Sequence, residues 1–65
     1  MYKIIKIVGA RSIDVEDIKV IKKTNNFSKA LCKAQDTFDE IDDGKKENAM
    51  VIITENDKVV YKIKI

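Results

Sequence analysis

The hydrophobic pattern changes period along this chain, and the changes mark its elements. From Tyr2 to Val8 the residues alternate as Tyr2, Ile4, Lys6, Val8 on one side and Lys3, Ile5, Ile7 on the other. Both sides are largely apolar and β-branched, which predicts a strand covered on two faces, at the centre of a sheet. Gly9 to Ser12 reads as a turn. A second strand is expected within Ile13–Thr24, where Ile13 and Val15 lie on one alternation and Ile18 and Val20 on the other. A bulge near Glu16–Asp17 would reconcile them. Lys19, Lys22 and Lys23 are the charges a protected edge strand carries.

After Asn25 and Asn26, which offer a helix N-cap, the period becomes helical. Phe27, Leu31, Ala34, Phe38 and Ile41 form one narrow apolar stripe, widened by Ala30. Lys29, Lys33, Asp36, Glu40 and Asp43 fall on the other side, so the segment predicts an amphipathic helix against a sheet. Gly44 is the expected stop, with Lys45 and Lys46 favourably placed at the negative end of the dipole.

The last two strands form a hairpin about Asn56–Asp57, within a loop from Glu55 to Lys58. Folding there sets Thr54 against Val59, Ile52 against Tyr61 and Met50 against Ile63 on one face. Ile53 meets Val60, Val51 meets Lys62 and Ala49 meets Lys64 on the other. The first set is the natural core partner of the helix, with Leu31 and Phe38 packing on Ile52, Tyr61 and Ile63.

The predicted architecture is one α+β domain over residues 1–65, in the order ββαββ, with a single helix on a four-stranded sheet. In element order and in the length and position of the helix it resembles the β-grasp fold of ubiquitin-like domains and of the immunoglobulin-binding domains of protein G and protein L. That resemblance is topological, without motif residues, and implies a parallel central pair of first and last strands and the order 2-1-4-3. The chain closes on Lys62-Ile63-Lys64-Ile65, without the diglycine that ubiquitin-style conjugation would use.

Composition narrows the chemistry more than it suggests any. The 65 residues are 45% hydrophobic and 37% charged, too apolar for a disordered chain and too charged for a membrane span. Lys3 and Lys6 interrupt the N-terminal apolar run, so no signal peptide and a cytoplasmic protein are expected. Histidine is absent, which removes the commonest general base and zinc ligand. A single cysteine, Cys32, allows neither an internal disulfide nor a thiolate metal site. Gly9 and Gly44 are too far apart for a phosphate-cradling loop. No catalytic, cofactor or metal site is expected, and the chain is read as a binding protein and not an enzyme. Lysine, isoleucine and asparagine make up 27 of the 65 residues, the bias of AT-rich coding sequence in a low-GC bacterium, plasmid or phage.

The net charge of +2 conceals a separation of sign. Residues 1–33 carry a balance of +5 and residues 34–57 a balance of −6. Such sorting can direct a partner. Asp36, Asp39, Glu40 and Asp43 recur at helical spacing and form an acidic patch, a solvated face or a docking site for a basic partner. Lys58, Lys62 and Lys64, with Lys3 or Lys6 and with Lys19 and Lys22, could lie on the open sheet face and meet phosphates. Yet Arg11 is the sole arginine, and the aromatics Tyr2, Phe27, Phe38 and Tyr61 map to the core, leaving no stacking platform. Cys32 points off the apolar stripe and reads as an incidental thiol.

One helix covers one side of a sheet, and the expected hairpin leaves Ala49, Val51, Ile53 and Val60 on the other. With Ile5 and Ile7, or Ile4 and Val8, they would make an apolar patch that nothing in the chain covers. The interface candidates are therefore Val51, Ile53, Val60, Ile5 and Ile7, met by a protein partner or by a second copy in a homodimer. A small noncovalent protein–protein interaction module, or a regulator or inhibitor of a larger protein, is the leading reading, a nucleic-acid-binding domain using the lysine-bearing sheet face the alternative, and no membrane role is expected.

Overall fold

The computed structural model describes residues 1–9 and 16–65, with the backbone alone at Glu16 and Asp17. Strand β1 spans Tyr2–Gly9 and β2 spans Glu16–Thr24. Helix α1 spans Phe27–Asp39, and a 3-10 turn at Lys46–Asn48 leads into β3, Ala49–Glu55, and β4, Lys58–Ile63. The helix packs on one face of a four-stranded sheet, an α+β architecture as the patterning predicts. The expected turn beyond Gly9 and the residues Ile13 and Val15 lie outside the described residues.

The strand order is β2-β1-β3-β4, and every neighbouring pair is antiparallel. This corrects the 2-1-4-3 order implied by the β-grasp resemblance, since β1 pairs with β3 and not with β4. The composition of the hairpin explains the choice. The central place goes to β3, Ala-Met-Val-Ile-Ile-Thr-Glu, which can be covered on both faces. Its partner β4 carries Lys58 and Lys62 and is exposed at five of six positions, as an edge strand tolerates. The two-sided β1 is central and the lysine-bearing β2 is the other edge, both as expected.

Two bulges decide which side chains face the helix. Glu16 and Asp17 pair regularly with Gly9 and Val8, so the irregularity in β2 is not there. It lies at Ile21, between the pairs Ile4–Lys22 and Ile5–Val20. This extra residue packs toward the core while Ile18 and Val20 face away. In the hairpin, Asn56 (φ 51°) and Asp57 (φ 66°) both adopt the left-handed conformation of a two-residue turn. The expected pair Thr54–Val59 forms beside it, and Glu55 and Lys58, expected in the loop, pair as strand residues and shorten the loop to two residues. Val60 is then extra, and the pairing moves by one residue to Ile53–Tyr61, Ile52–Lys62 and Val51–Ile63.

That slip puts Ile63 on the same side as Val51 and Ile53, and this side meets α1. The core comprises Ile4, Ala49, Val51 and Ile53 of the sheet with Ala30, Ala34, Phe38 and Ile41. Ala30 and Ala34 are fully buried, and Leu31, half-buried, packs against the same core, so the helix presents its alanine line with Leu31 beside it. Small side chains there let the helix approach closely, and Ile4, Val51 and Ile53 fill the space beneath. The expected packing of Leu31 and Phe38 on Ile52 is corrected accordingly: Phe38 is core, and Ile52 lies on the opposite face.

The helix starts where expected. The Asn26 side chain accepts a hydrogen bond from the Lys29 N–H at 3.1 Å. It ends earlier than Gly44, at Asp39, with Glu40 as its cap. Beyond that point Ile41 turns back into the core, and Lys46 lays its ammonium over the Phe38 ring at 5.7 Å while pairing with Asp43 at 3.2 Å. Tyr2 and Phe27 close the other end of the core, with ring centroids 5.1 Å apart.

Candidate interaction surface

Strand register builds the open face of the sheet row by row. Val20 of β2, Ile5 of β1 and Ile52 of β3 stand side by side. The next row is Ile18, Ile7 and Met50. Alternation gives both rows the face opposite Ile4, Val51 and Ile53, away from α1. The result is a block of six apolar side chains, two deep and three wide. Ile18 and Val20 are 57% and 53% exposed, and the other four are half-buried only by one another and by their neighbours. Val59, paired with Thr54, extends the same face on β4 and is also exposed.

The block has a basic border. The row beyond Val20–Ile5–Ile52 holds Lys23 and Lys3. Lys62 continues the Val20–Ile5–Ile52 row onto β4. Lys3 lies 4.0 Å from Asp57 of the turn. At the opposite end Lys64 and Glu47 line a shallow cleft together with Ile7 and Met50.

Ile5 and Ile7 lie on the open face as expected. Val51 and Ile53 do not: both are fully buried under the helix, so they are core and not interface. Their place is taken by Ile52 and Met50, because the same strand presents its other side. Val60 is the extra residue of the β4 bulge and is 43% exposed. Ile18 and Val20 were legible only as strand residues, yet their pairing with Ile7 and Ile5 adds the third column of the block.

The charged candidates separate by layer. Asp36, Asp39 and Glu40 are exposed on the outer side of α1 and its cap, with Gln35 donating to Asp39 at 3.0 Å. Asp43 lies past the helix end and pairs with Lys46, so it is not part of a continuous helical stripe. Of the basic set, Lys62 faces the open side. Lys58 pairs with Glu55, which pairs with Tyr2, and these lie on the helix side. Lys6 pairs with Lys19, and Lys22 pairs with Ile4, on the helix side too. The lysines thus do not converge on one face.

Removal from water raises the Tyr2 phenol above its ordinary pKa, and the nearby Glu55 carboxylate adds to the shift. Cys32 is exposed. Among the described residues no group of three or more histidine, cysteine or carboxylate side chains is placed to hold a metal, and no helix is long and apolar enough to cross a membrane. No family model, curated protein or solved structure matches the chain.

Proposed function

We propose that this protein is a small noncatalytic binding module, acting in the cytoplasm, that engages another protein through the open face of its sheet. The observation that carries the reading is the contiguous block Ile5, Ile7, Ile18, Val20, Met50 and Ile52, left uncovered by the single helix. Scattered apolar residues on a surface need no explanation, whereas six in register on one flat face mark an interaction site. The acidic side of α1 carries less weight, since exposed carboxylates are what any solvated helix face shows. Nucleic-acid binding draws less support, because Lys6, Lys19, Lys22 and Lys58 lie on the other side of the sheet from Lys3, Lys23 and Lys62.

Paired affinity baits test the proposal. Wild type, Ile52→Lys, Ile7→Lys and an Asp36→Lys/Asp39→Lys variant are immobilised, each first shown to melt cooperatively. Proteins retained by wild type should be lost from both sheet-face variants and kept by the helix variant. Retention by folded Ile52→Lys and Ile7→Lys, with loss from the helix variant, would transfer the site to α1.

A further inference from the structure

We infer that the flank of α1 beside β2, on the helix side of the sheet and independent of the open face, binds a small anion carrying two or three linked phosphoryl groups. A shallow cleft of about 360 Å³ lies there, lined by Lys22 of β2 and by Asn26, Ser28, Lys29, Lys33 and Asp36 of α1 and its cap. Its lysines arrive from two elements. Lys22 pairs with the buried Ile4, so alternation turns it to the helix side, at the edge of the sheet next to α1. Lys29 and Lys33 are four residues apart and stand one above the other on the same flank of the helix. Lys19, on the same side of β2 beyond Ile21, extends the basic flank.

This positive charge is not answered within the cleft. Asp36 is the one carboxylate among the described residues that line it. The ion pairs among the described residues are those of Lys3 with Asp57 and Lys46 with Asp43, and neither involves Lys22, Lys29 or Lys33. The order of charge along α1 strengthens the field. No acidic residue stands in its first turn and no basic residue in its last, so Lys29 and Lys33 add to the positive end of the dipole instead of offsetting it. Like charges four apart on a helix repel. A bound anion turns that repulsion into shared attraction.

The donors select the kind of anion. An ammonium is a compact point charge with three rotatable donors, suited to tetrahedral phosphoryl oxygens. The planar fork that matches a carboxylate belongs to arginine, and no arginine lines the cleft among the described residues. The Asn26 carbonyl oxygen already accepts from the Lys29 N–H at 3.1 Å, which leaves its amide hydrogens, with the Ser28 hydroxyl, as neutral donors beside the ammoniums. Length selects a short ligand. Lys19 and Lys22 are about 10 Å apart along β2, and Lys29 and Lys33 about 6 Å apart along α1. Past Lys33 the flank brings in carboxylates, first Asp36 and then Glu40 and Asp42 beside Lys6 and Lys45. An extended polyanion following the flank would run onto them, whereas two or three linked phosphoryl groups end before them.

Titration of the isotope-labelled full chain with inorganic triphosphate at low ionic strength, followed by amide chemical shifts, tests this. Saturable changes should centre on Lys22, Asn26, Ser28, Lys29 and Lys33. Lys22→Gln, Lys29→Gln and Lys33→Gln should each weaken binding about two- to fivefold, and Asp36→Asn should tighten it about twofold. The gain at Asp36 is a result that loss of folding cannot produce. A Lys58→Gln/Lys62→Gln variant removes more charge than any of these and should bind as wild type does. Inorganic diphosphate and a nucleoside diphosphate distinguish the source of the phosphoryl groups: equal affinities assign the site to the phosphate chain alone, and tighter binding of the nucleoside form assigns it to a nucleotide. Equal weakening by the Lys58/Lys62 variant, or shifts spread over all the lysines without saturation, would overturn the inference in favour of diffuse attraction. A single-stranded oligonucleotide that binds more tightly than triphosphate, and is weakened by the same three substitutions, would overturn it in favour of nucleic acid.

Discussion

Ile52 and Ile53 are adjacent and chemically identical, and the fold assigns them opposite fates. Ile53 is fully buried beneath α1, whereas Ile52 lies half-buried on the open face. Truncating Ile53 to alanine removes three carbons from the core. At ~0.8 kcal/mol for each buried carbon the transfer loss is about 2.4 kcal/mol. The unfilled space beside Ala30 and Ala34 adds to this, for a total of about 3–4 kcal/mol. A chain of this size has about 3–10 kcal/mol of stability in all, so Ile53→Ala should melt about 12–30 °C lower or fail to fold. The same change at Ile52 removes contacts only with neighbours on an open surface and should cost less than about 1.5 kcal/mol. Urea unfolding followed by far-ultraviolet circular dichroism measures both. A cost at Ile52 equal to or above that at Ile53 would refute the assignment of faces, and with it the proposed surface.

Other expectations follow from single contacts. Asn26→Ala removes the side-chain acceptor of the Lys29 N–H and should cost about 0.5–2 kcal/mol, with Asn26→Asp close to wild type in the same urea titration. Asp57→Gly relieves a left-handed residue in the hairpin turn and should leave stability unchanged or slightly higher, whereas Asp57→Val should destabilise by about 1 kcal/mol or more. In a Tyr61→Phe background the remaining phenol, Tyr2, should ionise above the ordinary tyrosine range by absorbance titration, and Glu55→Gln should bring it down. Because the raised pKa favours the protonated phenol in the fold, its contribution is intact below the ordinary tyrosine pKa. It is lost as pH rises through the raised value, and Tyr2→Phe should remove that alkaline loss.

The elements were legible from local pattern: alternation in β1, a three-four spacing in α1, and the turn-favouring Asn56-Asp57 pair between β3 and β4. The central place of β1 followed from its two apolar faces, and the edge place of β2 from its lysines. Pairing was less legible. The order ββαββ is shared by a sheet that sets β4 beside β1 and by one that sets β3 there, and element order alone cannot choose. The contrast between the apolar strand β3 and the lysine-bearing β4 is the signal in the sequence that distinguishes the two. Faces were least legible, because a bulge is a one-residue event that reverses everything beyond it. Nothing in Val59-Val60-Tyr61 singles out the middle residue as extra, so Tyr61 and Ile63 were set against Ile52 and Met50 instead of Ile53 and Val51. The larger side chains then looked like the core. The surplus of apolar residues was still countable, which is why an uncovered face was expected even though Val51 and Ile53 were assigned to it in place of Ile52, Met50, Ile18 and Val20.

Where the lysines stand also bears on whether the open face is an accident of a lysine-rich and isoleucine-rich composition. Lone sheets avoid sticking to one another by setting charges on edge strands and within their exposed faces. This chain has lysine enough to do both. On β2 the pattern places Lys19 and Lys22 on the helix side, next to Lys6 and Ile4 of β1. On the open side the lysines stop at the border, with Lys3 and Lys23 at one end and Lys62 on β4. None falls within the rows Val20–Ile5–Ile52 and Ile18–Ile7–Met50. A lysine at Ile52 or Ile7 would sit on an open surface at little cost to the fold and would abolish the patch. Charge was therefore available and structurally tolerable at the positions where it would block contact, and it stands around them instead. That distribution is what the proposed partner-binding face would require, with the six apolar side chains as its central contact.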